Sequence, residues 1–494
     1  MSSSSPVESR LRQGRLGTVH LVFFTVAASA PLTVLGGGVT TMYAVSGNVG
    51  GALSYVLLAA VLAVFAVGYA AMSRFVSNAG AFYSYIANGL GRAGGVAGSF
   101  MALAAYNAIQ IGLYGLFGSI VGDFLADKFG VTQPWWVWAL LGLILVAVLG
   151  VLQVDLNATV LAVLLVLECL AVVVFDLVSL GNPAGGTISL AGLDPGNLFG
   201  AGLGAVLALG IASFTGFESG AIYSEEVRDP RRTVARATYV AVAFTGGFYA
   251  LSAWALTVVT GPDNAQAASA EAGPGVVFDT LTKYANATIA DVAYLLFVTS
   301  VLAALLSFHN GVARYLFALG RERVLPAYLS RTGIRTGAPV AGSLTQTVLA
   351  VGVVLAFVLT GRDPVLDLFT WLSGVAAVGV VLLMTLTSAA VVGFFRKRPE
   401  PGVSRWQRAI APGLATVLLF GVLAVLVVNF DALLAPENPD YLAWLLPGVS
   451  VLAGAVGFGW GLVLRATRPA VYAAVGRGPA EPLPTDDPAL ALVR

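Results

Sequence analysis

The chain is 494 residues long, 58% hydrophobic and only 10% charged, with a formal net charge of +1 and a mean hydropathy of +0.87. Soluble domains carry about 25% charged residues, so the composition excludes a soluble or nucleic-acid-binding protein and implies an integral membrane protein. A single cysteine, Cys169, excludes a disulfide framework and a Cys-based zinc site, and two histidines, His20 and His309, argue against a multi-His metal site.

Residues 1–18 read as a polar tail, and the apolar run behind them is too long for a signal-peptide core, so it is expected to stay in the membrane. The chain then offers twelve apolar runs, each of about 20 residues, the length that crosses ~30 Å of hydrocarbon. The first, 19–46, contains Ala30-Pro31-Leu32-Thr33-Val34 followed by Gly36, Gly37 and Gly38. Proline removes a backbone donor and glycine loosens the helix, so this span is expected to be broken near its middle. Spans 49–72 and 95–122 follow; the second of these sets Tyr106, Asn107 and Gln110 on one helical face. Span 134–153 opens with Trp135, Trp136 and Trp138, an interfacial anchor.

Span 156–180 holds Glu168 and, eight residues on, Asp176. Glu168 falls about 18 Å along the helix, near the bilayer midplane. A carboxyl at that depth is costly and therefore a functional candidate; it is either a proton carrier or a protonated acid bonded to a neighbouring helix. Asp176 lies nearer the outer face and reads as a vestibule residue. Span 199–224 runs into Phe214-Thr215-Gly216-Phe217-Glu218 and leaves the membrane through Glu225, Glu226, Arg228, Asp229, Arg231 and Arg232. A weak helical segment at that depth must line a cavity or pack in protein. Glu218 is expected either to relay protons and gate the inner path or to cap amides freed by the break. The remaining spans are 234–259, 288–312 (with Thr299, Ser300, Ser307 and His309), 339–360, 365–394, 409–430 and 441–464. His309 reads as a satisfied packing residue more readily than as a coupling group.

Basic residues favour the cytoplasmic side of a membrane. With the N-terminus inside, only Lys128, Lys283 and Arg362 of the 26 basic residues fall outside, an asymmetry that a wrong span count would scramble. The expected division is a cytoplasmic tail at 1–18, spans 1–5 at 19–181, spans 6–10 at 199–394, spans 11–12 at 409–465, and a disordered cytoplasmic tail at 466–494. The two breaks fall in the first helix of each five-helix block. An odd number of helices per block makes the two blocks inverted repeats, with their breaks at equivalent places. Half-helix N-termini suit a carboxylate and freed carbonyls suit an ammonium, so a small zwitterion satisfies both. The competing reading is that the glycines only let helices approach closely.

Phe214-Thr-Gly-Phe-Glu218 with the charged run to Arg232, Arg314-Tyr-Leu-Phe-Ala-Leu-Gly-Arg-Glu-Arg-Val-Leu-Pro326, and Asn78-Ala-Gly-Ala-Phe-Tyr-Ser-Tyr85 with Gly91-Arg92 resemble the conserved patterns of the amino acid–polyamine–organocation (APC) superfamily of permeases. The resemblance covers about residues 16–465. It implies an all-α integral membrane protein of twelve transmembrane helices, with the leucine-transporter-type 5+5 inverted repeat and two peripheral helices. The chain departs from the family in lacking a lysine near the middle of span 5 and in its helix 1 break, where many relatives carry Gly-Ser-Gly.

The function so implied is secondary active transport of an amino acid across the plasma membrane by alternating access, as a proton symport. An amino acid/polyamine exchanger is the alternative, and a channel or membrane enzyme is further off. No enzymatic constellation, cofactor or resident metal is expected. The expected partners are a small-molecule substrate (amino acid or polyamine), a proton and the lipid bilayer, with no nucleic acid. The expected substrate contacts are Ala30, Pro31, Leu32, Thr33, Val34, Gly36 and Gly37 from the first break, Asn107 from span 3 by resemblance, and Phe214, Thr215, Gly216 and Phe217 from the second. Glu168 and Glu218 are the expected coupling or gating acids.

Overall fold

The structure, a computed structural model, describes residues 22, 26, 29–76, 82–152, 158–218, 230–333 and 336–477. The 1–18 tail, residues 78–81 of the third motif, and the side chains of the charged run Glu225 to Arg232 lie outside the described residues. Every element described is helical. After Ala30 the chain runs through α1 (Pro31–Thr33), a π-helical stretch (Val34–Val39) and α2 (Thr40–Ser46). Next come α3 (Gly51–Met72), α4 (Phe82–Gly89), α5 (Arg92–Phe129), α6 (Trp135–Leu152) and α7 (Ala158–Gly181). The second block holds α8 (Leu203–Phe214), α9 (Pro230–Thr260), α10 (Ala265–Ala272), α11 (Gly275–Tyr284), α12 (Ala287–Arg321), α13 (Val340–Leu359) and α14 (Thr370–Lys397), the last preceded by a π-helical turn, Pro364–Phe369. Then follow α15 (Ala411–Val428), α16 (Leu442–Thr467) and the short α17 (Pro469–Ala474).

Ten of these helices, among the described residues, are long and apolar enough to cross a membrane. The first and sixth expected spans are absent from that set: parts of both lie outside the described residues, and the described pieces, Leu203–Phe214 among them, are short. The expected 260–287 loop is not plain loop: α11 turns Val277, Phe278 and Leu281 inward, and the Phe278 ring lies 4.4 Å from that of Tyr294 on α12. The expected tail at 466–494 is ordered as far as Arg477, where α17 leads into a buried Val475; residues 478–494 lie outside the described residues.

Position in the bundle follows from which faces meet protein rather than lipid. α14 with its leading turn is the most buried of the ten spans, and α6, α13 and α16 are among the least. α5 is the hub, packed against α12, α14, α16, α6 and α4. Its 38 residues extend about 57 Å, well beyond the hydrocarbon thickness. Small residues permit the closest approaches. A Cβ on Gly118 would sit 2.5 Å from the Trp135 carbonyl oxygen, and one on Gly457 would sit 2.8 Å from that of Val96. Membrane helices gain contact in this way because lipid supplies no hydrophobic drive between them.

Candidate substrate site between the two broken helices

The first break is made by one residue, Ala30, in a left-handed conformation (φ 45°, ψ 76°). Such a conformation is uncommon for a residue with a side chain and persists where the surroundings enforce it. Pro31 then restarts the helix at its first position, where its fixed φ suits the turn and its missing N–H costs nothing. The carbonyl of Ser29 accepts the Tyr249 hydroxyl from α9 at 2.9 Å. Among the described residues no side chain caps the restarted helix, and the amides of its first turn, Leu32 and Thr33, have no intrahelical acceptor.

Gly36, Gly37 and Gly38 do not form that break. They lie in the π-helical stretch, and each meets a different neighbour: a Cβ would come 3.0 Å from Phe297, 2.6 Å from Leu116 and 3.1 Å from the Ser213 hydroxyl, respectively. The close-packing reading therefore describes these three glycines.

The second break begins where α8 stops. Thr215 is extended (ψ 128°), and Gly216 has φ 112°, a conformation open to glycine and strained for other residues. The Thr215 hydroxyl returns to the Ile211 carbonyl at 3.3 Å. Glu218 folds back to accept the Gly216 amide at 3.1 Å and takes the Tyr106 hydroxyl of α5 at 2.7 Å. The capping role expected of Glu218 is thus present in the geometry. Phe217 stacks edge-on against Phe65, with ring centres 6.1 Å apart, and Phe214 packs against Tyr55 and Tyr249.

Between the breaks lies a narrow cavity of about 40 Å³, by that measure room for about three ordered waters. Ser29, Ala30, Thr33, Val34 and Gly38 line one side, and Leu209, Ala212, Ser213 and Thr215 the other. Ile109 and Leu113 of α5, Ala304 and Phe308 of α12, and Phe369 and Ser373 beside and on α14 complete the wall. Among the described residues, no ionisable side chain lines it. The Ser373 hydroxyl is buried without a hydrogen-bond partner among the described residues. Pro31, Leu32, Gly36, Gly37, Phe214, Gly216 and Phe217 stand behind this lining rather than in it. Asn107 is also outside it; its Nδ2 donates to the Leu103 carbonyl one turn back at 2.7 Å, and its Oδ1 has no partner among the described residues.

Glu168 reaches the cavity wall through a relay. Thr33 donates to the Ser300 hydroxyl at 2.9 Å, and Ser300 donates to Glu168 Oε2 at 2.7 Å, so helices α1, α12 and α7 meet through three side chains. Thr33 lines the cavity; Glu168 is 4% exposed. His309 is held at both ring nitrogens, by Gln110 at 3.3 Å and Ser343 at 2.7 Å. Gln346 bonds Gln110 in turn, a polar tie between α5, α12 and α13 that makes His309 a satisfied packing residue. Sequence reasoning missed Tyr249 and Ser373. Ser373, a hydroxyl in the apolar run of span 10, carried only a signal that it shares with Thr370, Thr385, Thr387 and Ser388.

A family model described as amino acid permease matches residues 16–456. Curated relatives include transporters described as uncharacterized from Mycobacterium bovis and from two strains of Mycobacterium tuberculosis, each 28% identical over 264 residues, 52% of this chain and 49% of theirs. The chain spans about half the length of the curated relatives it matches. Among solved structures, a manganese transporter of Eremococcus coleocola, crystallised with an aromatic bis-isothiourea substituted compound, superposes with a TM-score of 0.53 at 15% identity. That superposition covers 95% of this chain and all of the other, and it shows a shared fold.

Proposed function

Because the chain belongs to the amino acid permease family and is a multi-pass membrane transporter, we propose that it moves a small neutral amino acid with an apolar side chain, coupled to a proton. The observation that carries this reading is the cavity between the two breaks, which has mostly apolar walls and, among the described residues, a helix start without a side-chain cap and no ionisable lining side chain. A substrate carboxylate would be met by the Leu32 and Thr33 amides at the positive end of the restarted helix. The ammonium would face carbonyls at the end of α8, and Ser373 offers its unused hydroxyl. A polyamine or cationic side chain would need a carboxylate in the wall, and the described lining has none. The cavity as it stands is smaller than an amino acid, so binding requires the walls to part, as alternating access demands.

Coupling would run through the relay. With Glu168 ionised, Thr33 donates to Ser300 and Ser300 to Glu168, the arrangement described above. A proton on Glu168 reverses both bonds: the acid donates to Ser300, Ser300 to Thr33, and the intact Thr33 O–H turns to donate towards the cavity. Proton occupancy on α7 thus changes what the substrate meets on α1. In the orientation expected from the basic residues, both termini are cytoplasmic.

Purified protein in liposomes, given a panel of labelled amino acids with and without a pH gradient, tests this. Neutral apolar amino acids should accumulate only when the proton gradient is inward, and Glu168→Gln should abolish accumulation while leaving exchange measurable. Uptake that needs sodium and ignores pH, or that is confined to cationic substrates, would overturn the reading. Exchange without net accumulation in the wild type would instead establish the exchanger.

A further inference from the structure

Asp176 lies on the same buried stripe of α7 as Glu168, Val172 and Phe175, eight residues and about 12 Å from Glu168. It is 2% exposed, and its Oδ1 has no hydrogen-bond partner among the described residues. Its other oxygen meets a single group, the Ser252 hydroxyl of α9, at 3.1 Å. That hydroxyl is also 3.1 Å from the Phe248 carbonyl of its own helix. One hydroxyl hydrogen cannot serve both. When it bonds the carbonyl, Ser252 can only accept, and Asp176 must then carry a proton and donate it.

No cation offsets a charge at this place among the described residues. Of the titratable groups on the elements packed against α7, Tyr249 of α9 is bound to the Ser29 carbonyl, and Arg236 and Tyr239 lie at the opposite end of α9 from Ser252. On α11, Asp279 and Lys283 are exposed and Tyr284 packs under Lys283. On α12, Asp291 pairs with Lys128 at 2.8 Å, Tyr294 donates to the Ile120 carbonyl, and His309 is held as described; Arg314, Tyr315 and Arg321 lie beyond it, towards the far end of that helix. An ionised carboxylate, buried with one neutral partner, is costly unless water reaches it. The neutral acid fits the closed contact and the charged acid does not.

We propose that Asp176 is a second proton-binding site, whose protonation closes the outer half of α7 onto α9 and whose ionisation opens that contact to water. The acid is a positioning residue for the transport cycle. The word "outer" rests on the orientation proposed above, and the closure itself does not depend on Glu168 carrying the coupled proton.

Ser179, one turn further along the same stripe, is fully buried, and its hydroxyl has no partner among the described residues, so it can report the opening. In the full chain with Cys169→Ala, Ser179→Cys should react with a membrane-impermeant thiol reagent from the side that α7 exposes. The reaction should rise several-fold more steeply with pH when Asp176 is present than when Asp176→Asn, a fixed neutral mimic, replaces it; that comparison cancels the thiol's own ionisation. Ser252→Ala, which removes the one partner found among the described residues, should label faster than the Ser252 background at each pH compared. Identical pH dependence in the Asp176 and Asp176→Asn backgrounds, or no faster labelling in Ser252→Ala, overturns the proposal. The readout needs no transport, so it stands or falls separately from proton-coupled uptake.

Discussion

The carboxylate of Glu218 lies 2.7 Å from the hydroxyl of Tyr106 and 3.1 Å from the amide of Gly216. A single acid thus ties the unwound part of the second break to the hub helix α5. Glu218→Gln retains an oxygen for the amide, so most uptake and its pH dependence should survive. Glu218→Ala leaves a buried donor and a buried hydroxyl unpaired, at about 1–3 kcal/mol each, and should lose uptake and melt at lower temperature in detergent. If the Gln variant loses accumulation but keeps exchange, Glu218 is a proton relay and the capping role is wrong.

Gly216 at φ 112° makes a second prediction. A side chain there costs about 1–3 kcal/mol of backbone strain and stiffens the unwound segment. Gly216→Ala should slow uptake and Gly216→Leu should abolish it, while both proteins still reach the membrane and elute as folded particles. Normal uptake by the Leu variant would move the substrate site away from this break.

Helix positions were legible because the length that spans hydrocarbon is a one-dimensional property. The apolar runs 339–360 and 441–464 became Val340–Leu359 and Leu442–Thr467. α5 outran its expected 95–122 at both ends, reaching Arg92 and Phe129, because an apolar run measures the hydrocarbon crossed, while the helix continues past it through Asp123, Asp127 and Lys128 on its exposed end. The existence of two breaks was legible from Pro31 and Gly216. The residue that makes the first was not: a left-handed Ala30 is imposed by what surrounds it, including the Tyr249 bond to Ser29 from 220 residues away. The relay needed three helices to meet, and neither Ser300 as the link nor Ser252 as the partner of Asp176 has a local signature.

The basic-residue asymmetry yields a prediction about orientation. Reporter fusions after Arg74, Arg232, Arg335 and Arg398 and at the C-terminus should report cytoplasm, and fusions after Gly130 or Pro274 should not. A cytoplasmic signal after Gly130 would mean that the expected crossings are miscounted.

The last prediction concerns the Thr33–Ser300–Glu168 relay. Ser300 is both acceptor and donor in it, so Ser300→Ala should sever the link without removing the acid. Accumulation against a gradient should fall steeply, and exchange, which needs the cavity but no net proton, should persist. Thr33→Val keeps the shape and removes the hydroxyl that faces both Ser300 and the cavity, so it should weaken coupling and raise KM together. Residues in one hydrogen-bond network are not additive. Adding Ser300→Ala to Glu168→Gln should therefore cost accumulation little more than Glu168→Gln alone. If the two losses instead multiply, or if Ser300→Ala accumulates substrate at the wild-type level, the proton is not read at α1 through this path.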